Sequence, residues 1–166
     1  MKPVVFWQQE NLLQQYLPNL DRYIVLSDYD KRDYMEKLGI DCEVKINPRS
    51  FVSEKKCDVK SKRFLMATRF VYAKGLDLMM ESFEEFCKED SEWELDIIGD
   101  GDLFDQIRAD AKKRHLEKRV HFVGYTNEPE KYYLNSSVFL LPSRWEGWPM
   151  VIMEAFEFGL PVIAFH

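Results

Sequence analysis

Positive charge is in short supply in this sequence: 23 Lys and Arg stand against 29 Asp and Glu, for a net charge of −6. Nucleic acids and anionic membranes bind broad basic faces that release counterions, so both are excluded as bulk partners and any anion site must be local. Cysteine is scarce and scattered. Cys42, Cys57 and Cys87 form no CxxC pair, and the three His do not cluster with them, so neither a zinc site nor a disulfide framework is expected and free thiols in a reducing compartment fit. Gly and Pro number only seven each, too few for a fibrous or low-complexity chain. No apolar run approaches the roughly 20 residues of a membrane span. The opening MKPVVFWQQE is too brief for a signal-peptide core. The expected location is the cytoplasm, leaving room for contact with the inner face of a membrane through other parts of the protein.

What is present is an ordinary globular composition, 46% hydrophobic and 31% charged over 166 residues. From residue 63 onward, short apolar runs alternate with helical patterns, the order of parallel β-α units. Arg63 to Arg69, Glu94 to Gly99, Val120 to Gly124, Val138 to Pro142 and Val162 to Phe165 read as five strands, apolar enough to be buried on both faces. Leu76, Met79, Met80, Phe83 and Phe86 recur at helical spacing, as do Leu103, Ile107, Ala111 and Leu116, and these stripes read as core. Asp102 is the expected N-cap of the second helix, and Gly159 the stop of the last. Before residue 48, Tyr23 to Ser27 and CEVKI read as strands around a helix ending at Gly39. The polar stretch between has no apolar period and marks a boundary. The expected class is α/β, a Rossmann-like parallel sheet with helices on both faces. The expected domains are residues 1–48, a linker over 49–61, and a main domain over 62–166.

Chemistry concentrates between Ser143 and Gly159. The chain leaves a buried strand, turns at Gly147, and starts a helix with Pro149 at its first position. Open parallel sheets bind ligands at such strand-to-helix mouths. The amides of Met150 and Val151 then fall in a first turn whose unpaired N–H groups and dipole favour a phosphate. Glu154 follows four residues after Met150 on a helix apolar almost all round and therefore expected to be buried, where a carboxylate needs donors. An Arg or Lys partner from elsewhere and a pair of sugar hydroxyls serve equally on this evidence alone. Glu146 sets a second carboxylate beside the same helix start and tips the balance toward a ligand.

The segment EGWPMVIMEAFEFGLPVIA, with seven residues between Glu146 and Glu154, resembles family 4 of the retaining glycosyltransferases, which have two Rossmann-like domains. The similarity extends to ATRFVYAKGLDLMMESFEEF, IIGDGDL and VHFVGYTNEPEKYY. The ordered set is far more specific than any one motif. The resemblance implies that Arg69 and Lys74 neutralise a leaving diphosphate, that Glu146 touches the donor sugar near its reacting carbon, and that Glu154 holds the ribose hydroxyls. It places Gly147, Trp148, Met150 and Val151 at the donor, with the base received at Tyr125 and Thr126 and Lys131 nearby. It implies a hexosyl transfer with retention from a nucleotide-diphospho-sugar to a glycan or lipid-linked acceptor in polysaccharide or glycoconjugate assembly, without metal or cofactor. It also implies that most of the first, acceptor-binding domain lies outside residues 1–48 and that the main domain is incomplete at its far end. Pro149 departs from the family, many of whose members have Gly there, and donates no N–H.

Other signals are weaker. Gly99-Asp100-Gly101 follows a strand, but Phe104 stands where a dinucleotide fingerprint needs its third Gly, so the segment reads as a tight turn. His115 and His121 stand apart from any nucleophile. Trp145 and Trp148 serve as well for packing under the loop as for stacking on a sugar. Two other function classes stay open: a non-catalytic nucleotide-binding or partner module of the same fold, and a related epimerase or phosphorylase.

Overall fold

The computed structural model describes residues 22–48, 52–90 and 92–165. Expectations for residues 1–21 and 49–51 lie outside the described residues. The chain divides into two compact units, Met1–Arg49 and Ser50–His166.

In the first unit, strand β1 (Ile24–Val25) pairs in parallel with β2 (Glu43–Val44), and helix α1 (Asp28–Leu38) connects them. Ser27, expected as the end of a strand, caps this helix instead by accepting from the Asp30 amide at 3.1 Å. Gly39 closes it in the left-handed region at φ 68°.

The second unit holds five parallel strands, β3 (Arg63–Ala67), β4 (Glu94–Ile98), β5 (Val120–Gly124), β6 (Val138–Leu141) and β7 (Val162–Ala164), in the order β5-β4-β3-β6-β7. All five expected strands are present; β5 has the expected bounds, and the other four end one or two residues earlier, where the chain leaves the ladder. The helices are α2 (Leu76–Glu89), α3 (Phe104–Lys113), α4 (Pro129–Leu134) and α5 (Met150–Glu157).

Alternation along each strand sends successive side chains to opposite faces. Phe64 and Met66 of β3, with Leu95 and Ile97 of β4, join the stripes of α2 and α3 in one core. Leu65 and Ala67, with Ile98, Phe139 and Leu141, join Tyr133 of α4, Ala155 of α5 and Phe158 at the end of α5 in the other. Two expectations need correction. Asp102 does not cap α3, which starts after Leu103 without a side-chain cap, because the turn from β4 is stitched by backbone bonds between Phe70 and Asp100 and between Leu103 and Phe70. Helix α5 is not buried all round. It meets the sheet through one stripe, and Met153 and Phe156 face outward, Phe156 at 58% exposure.

The described part of the expected linker belongs to the second unit. Cys57 donates its amide to Phe158 at 2.8 Å, Asp58 to Leu134 at 3.0 Å, and Ser53 to the Glu157 carboxylate at 2.9 Å. Its backbone amides thus answer acceptors at the ends of α4 and α5, and the Lys56 ammonium donates to the Glu157 carbonyl at 2.7 Å. Cys42, Cys57 and Cys87 are free, and burial pushes each thiol above its ordinary value.

Candidate functional site

The strand order reverses direction at β3. From there β4 and β5 build one way and β6 and β7 the other. The loops after β3 and β6 therefore diverge around a crevice at their carboxyl ends, the place where open α/β sheets take ligands.

The loop after β3 carries Arg69 and then a 3-10 turn, Tyr72–Lys74. Gly75 closes that turn at φ 65°, with its backbone so near the end of β6 that a Cβ there would stand 2.1 Å from the Pro142 carbonyl oxygen. No side chain fits, and only glycine adopts this angle without strain. The loop after β6 is tied to the same turn. The Arg144 amide donates to Ala73 at 2.8 Å, and its guanidinium reaches both Asp77 oxygens at 2.7 and 2.6 Å while lying 4.0 Å from the centre of the Tyr72 ring. The Arg144 hydrogen bonds hold the Asp77 carboxyl below the usual carboxylate range, against the opposing effect of burial.

This bracing brings Lys74 and Glu146 together. The Lys74 ammonium donates to both Glu146 oxygens at 2.7 and 2.8 Å, and the Ser143 hydroxyl donates to Oε1 at 2.6 Å. Both charged side chains are largely withdrawn from water, at 19% and 11% exposure, so the pair acts in a lower dielectric than a surface bridge. Ser143 is itself buried, and no sequence motif singled it out.

A hollow of about 510 Å³ opens beside this pair. It is lined by Arg69 and Lys74, by Tyr125 and Thr126 after β5, by Glu146 and Trp148, and by Met150 and Val151 at the start of α5. Asp100 and Thr68 line it too; the signal available for Asp100 was its place between two glycines at a strand end. Arg69 is exposed and pairs with no acid among the described residues. Pro149 takes the cap position, one residue earlier than expected, and Met150 opens the helix. Gly147, exposed, forms the turn between Glu146 and Trp148 but does not line the hollow. Trp145 packs against Tyr72, ring centres 5.9 Å apart.

Two residues lie elsewhere. Lys131 bridges to Glu128 at 3.2 Å and borders a separate depression with Arg63, Asp96 and Asn135. Glu154 sits one turn along α5, outside the lining, and accepts from the Tyr133 hydroxyl at 2.7 Å. Its partner is thus a phenol, not the Arg or Lys that sequence reasoning weighed. Tyr133 is fully buried between the rings of Phe139 and Phe158, 5.8 and 5.2 Å away. Burial, reinforced by the Glu154 charge, pushes its hydroxyl well above its ordinary value, so it stays a donor.

Residues 50–166 match the family described as glycosyl transferases group 1. The chain belongs to that family. An uncharacterized glycosyltransferase of Haemophilus influenzae is 31% identical over 148 residues, covering 88% of this chain and 42% of the relative. The amylovoran biosynthesis glycosyltransferase AmsD of Erwinia amylovora is 35% identical over 106 residues, 64% of this chain and 30% of its own length. Among solved structures, the pneumococcal O-GlcNAc transferase GtfA in complex with UDP and GlcNAc superposes with a TM-score of 0.78 at 25% identity, over 93% of this chain and 32% of that one. This group 1 chain therefore spans less than half the length of these relatives. Among the described residues no helix is long and apolar enough to cross a membrane.

Proposed function

We propose that this chain supplies the donor half of an enzyme that transfers a hexosyl group, with retention, from a nucleotide-diphospho-sugar to a glycan or lipid-linked acceptor in polysaccharide or glycoconjugate assembly. One observation carries the reading. Arg69, Lys74 and the amino end of α5 converge on one hollow at the strand reversal, with Glu146 held beside it. Two fixed cations and a helix start suit a diphosphate that gains charge as its bond to the sugar breaks. Arg69 and Lys74 supply that positive charge, and the reading asks for no metal. Glu146 serves the sugar and Glu154, one turn deeper along α5, the ribose; Trp148 flanks the sugar, and Tyr125 and Thr126 the base. The names of the relatives support glycan assembly as the setting.

The test is a thermal-shift panel of UDP-, GDP- and ADP-sugars on this chain. A ligand present at about 100 times its Kd should raise Tm by about 5–10 °C, and Lys74→Ala should remove most of that rise. A panel in which no nucleotide sugar moves the melting point would overturn the reading.

A further inference from the structure

We infer that Glu146 is the resident counter-anion of Lys74, and that donor binding works by exchange: the diphosphate takes over the ammonium and the released carboxylate turns to the hydroxyls of the sugar. This deepens the proposed function and rests on it.

Geometry motivates the exchange. A carboxylate whose two oxygens both face one ammonium, at 2.7 and 2.8 Å, imitates the paired oxygens of a phosphate. The backbones on both sides are fixed: Lys74 by the hydrogen bond from its amide to the Val71 carbonyl at 3.0 Å and by Gly75, Glu146 by the tie between Arg144 and Ala73. The mobile parts are the two side-chain ends. Lys74 and Glu146 line the same hollow as Arg69 and the first residues of α5, so a phosphate bound to those groups comes into reach of Lys74 and repels Glu146 at the same time. With water largely kept from the pair, that repulsion is weakly screened. Ser143, donating at 2.6 Å, keeps the carboxylate tethered while it changes partner.

The consequence is a preference built from one ion pair. A nucleotide sugar offers hydroxyl donors to the displaced carboxylate and recovers the cost of breaking the pair. A nucleoside diphosphate alone offers none, so Glu146 competes with it for Lys74. After transfer, the same competition drives the spent diphosphate out, a step that often limits turnover.

Titration calorimetry on this chain and on Glu146→Gln, with UDP, GDP and ADP and with their glucose conjugates, tests the exchange. The amide keeps the shape and loses the charge. Glu146→Gln should bind the free diphosphate about ten-fold tighter than the parent, as expected when a like charge is removed from a part-buried anion site, while its margin for the sugar conjugate over the free diphosphate shrinks. In a Lys74→Ala background the same change should alter diphosphate binding less than two-fold, which a general effect of net charge would not do. Should Glu146→Gln melt early, Glu146→Ala carries the same comparison. If the parent binds a diphosphate and Glu146→Gln binds it no tighter, or if the gain persists without Lys74, the exchange is wrong while the donor-site reading stands. If the parent binds no nucleotide and no conjugate, both fall together.

Discussion

The two faces of the sheet are built differently. The face under α2 and α3 is a continuous apolar layer in which Phe64, Phe83, Phe86 and Trp93 form a chain of stacked and edge-on ring contacts with centres 4.4 to 6.3 Å apart. The face under α4 and α5 interrupts its apolar layer with polar contacts. Arg63 reaches Asp96 at 2.7 Å and also pairs with Glu94, which accepts a hydrogen bond from His121 at 2.7 Å, and Tyr133 serves Glu154. Burial raises the Glu94 carboxyl, but the His121 hydrogen bond and the Arg63 charge outweigh it and leave the group below its ordinary value. One face is dedicated to packing. The other gives part of its interior to ion pairs at the amino ends of β3 and β4 and to the hydroxyl that aims Glu154.

Stability and binding should therefore separate by face. Phe83→Ala, on the apolar face, should produce the largest loss of stability, about 3–5 kcal/mol, read as a lower midpoint in urea with little direct effect on nucleotide affinity in the surviving folded fraction. Gly75→Ala comes next. The new Cβ meets the Pro142 carbonyl and the left-handed angle adds strain, so about 2–4 kcal/mol should go, and here nucleotide binding should fall as well because Lys74 shifts with the turn. Arg63→Met leaves buried Asp96 without its ion pair; with Arg63 itself one-third exposed, a loss of about 1–3 kcal/mol is expected. Tyr133→Phe should cost only about 1 kcal/mol yet weaken binding of the nucleotide sugar more than its stability cost suggests, since Glu154 loses the donor that aims it. Equal effects of Tyr133→Phe on parent stability alone, with affinity untouched, would remove Glu154 from the site.

The apolar face was the legible one. Its stripes repeat at helical spacing within single segments, and nearly continuous apolar strands announce a sheet buried on both sides. The site was legible in part, because the loop from Ser143 to Gly159 carries its own turn, helix start and carboxylates in one stretch. The pairings were not. Lys74 and Glu146 are 72 residues apart and Arg63 and Asp96 are 33 apart, and only the parallel register sets them side by side. Tyr133 gave no local sign of its role, since a tyrosine in a short amphipathic turn reads as core, which it also is. The outward side of α5 misled for a related reason: an apolar helix reports how much of its surface is greasy, not which stripe meets the sheet.

The smallest expected effect lies at the rim, where Arg144 ties the loop after β6 to Asp77 in the first turn of α2. Because the folded carboxyl is held below its ordinary value, the pair contributes stability at neutral pH that is lost as pH falls through that depressed value, and nothing is lost on the alkaline side. Asp77 is half exposed, so solvent screening keeps the contribution to at most about 1 kcal/mol. Glu94 titrates in the same acidic window and is unchanged in an Asp77→Asn variant, so the difference between the two melting curves isolates Asp77. That difference should be small and positive at pH 7 and should close on acidification below the ordinary carboxylate range. Parallel curves across the whole range would mean that the bridge adds nothing to stability, leaving the Gly75 contact and the Arg144–Ala73 backbone bond to hold the two loops together.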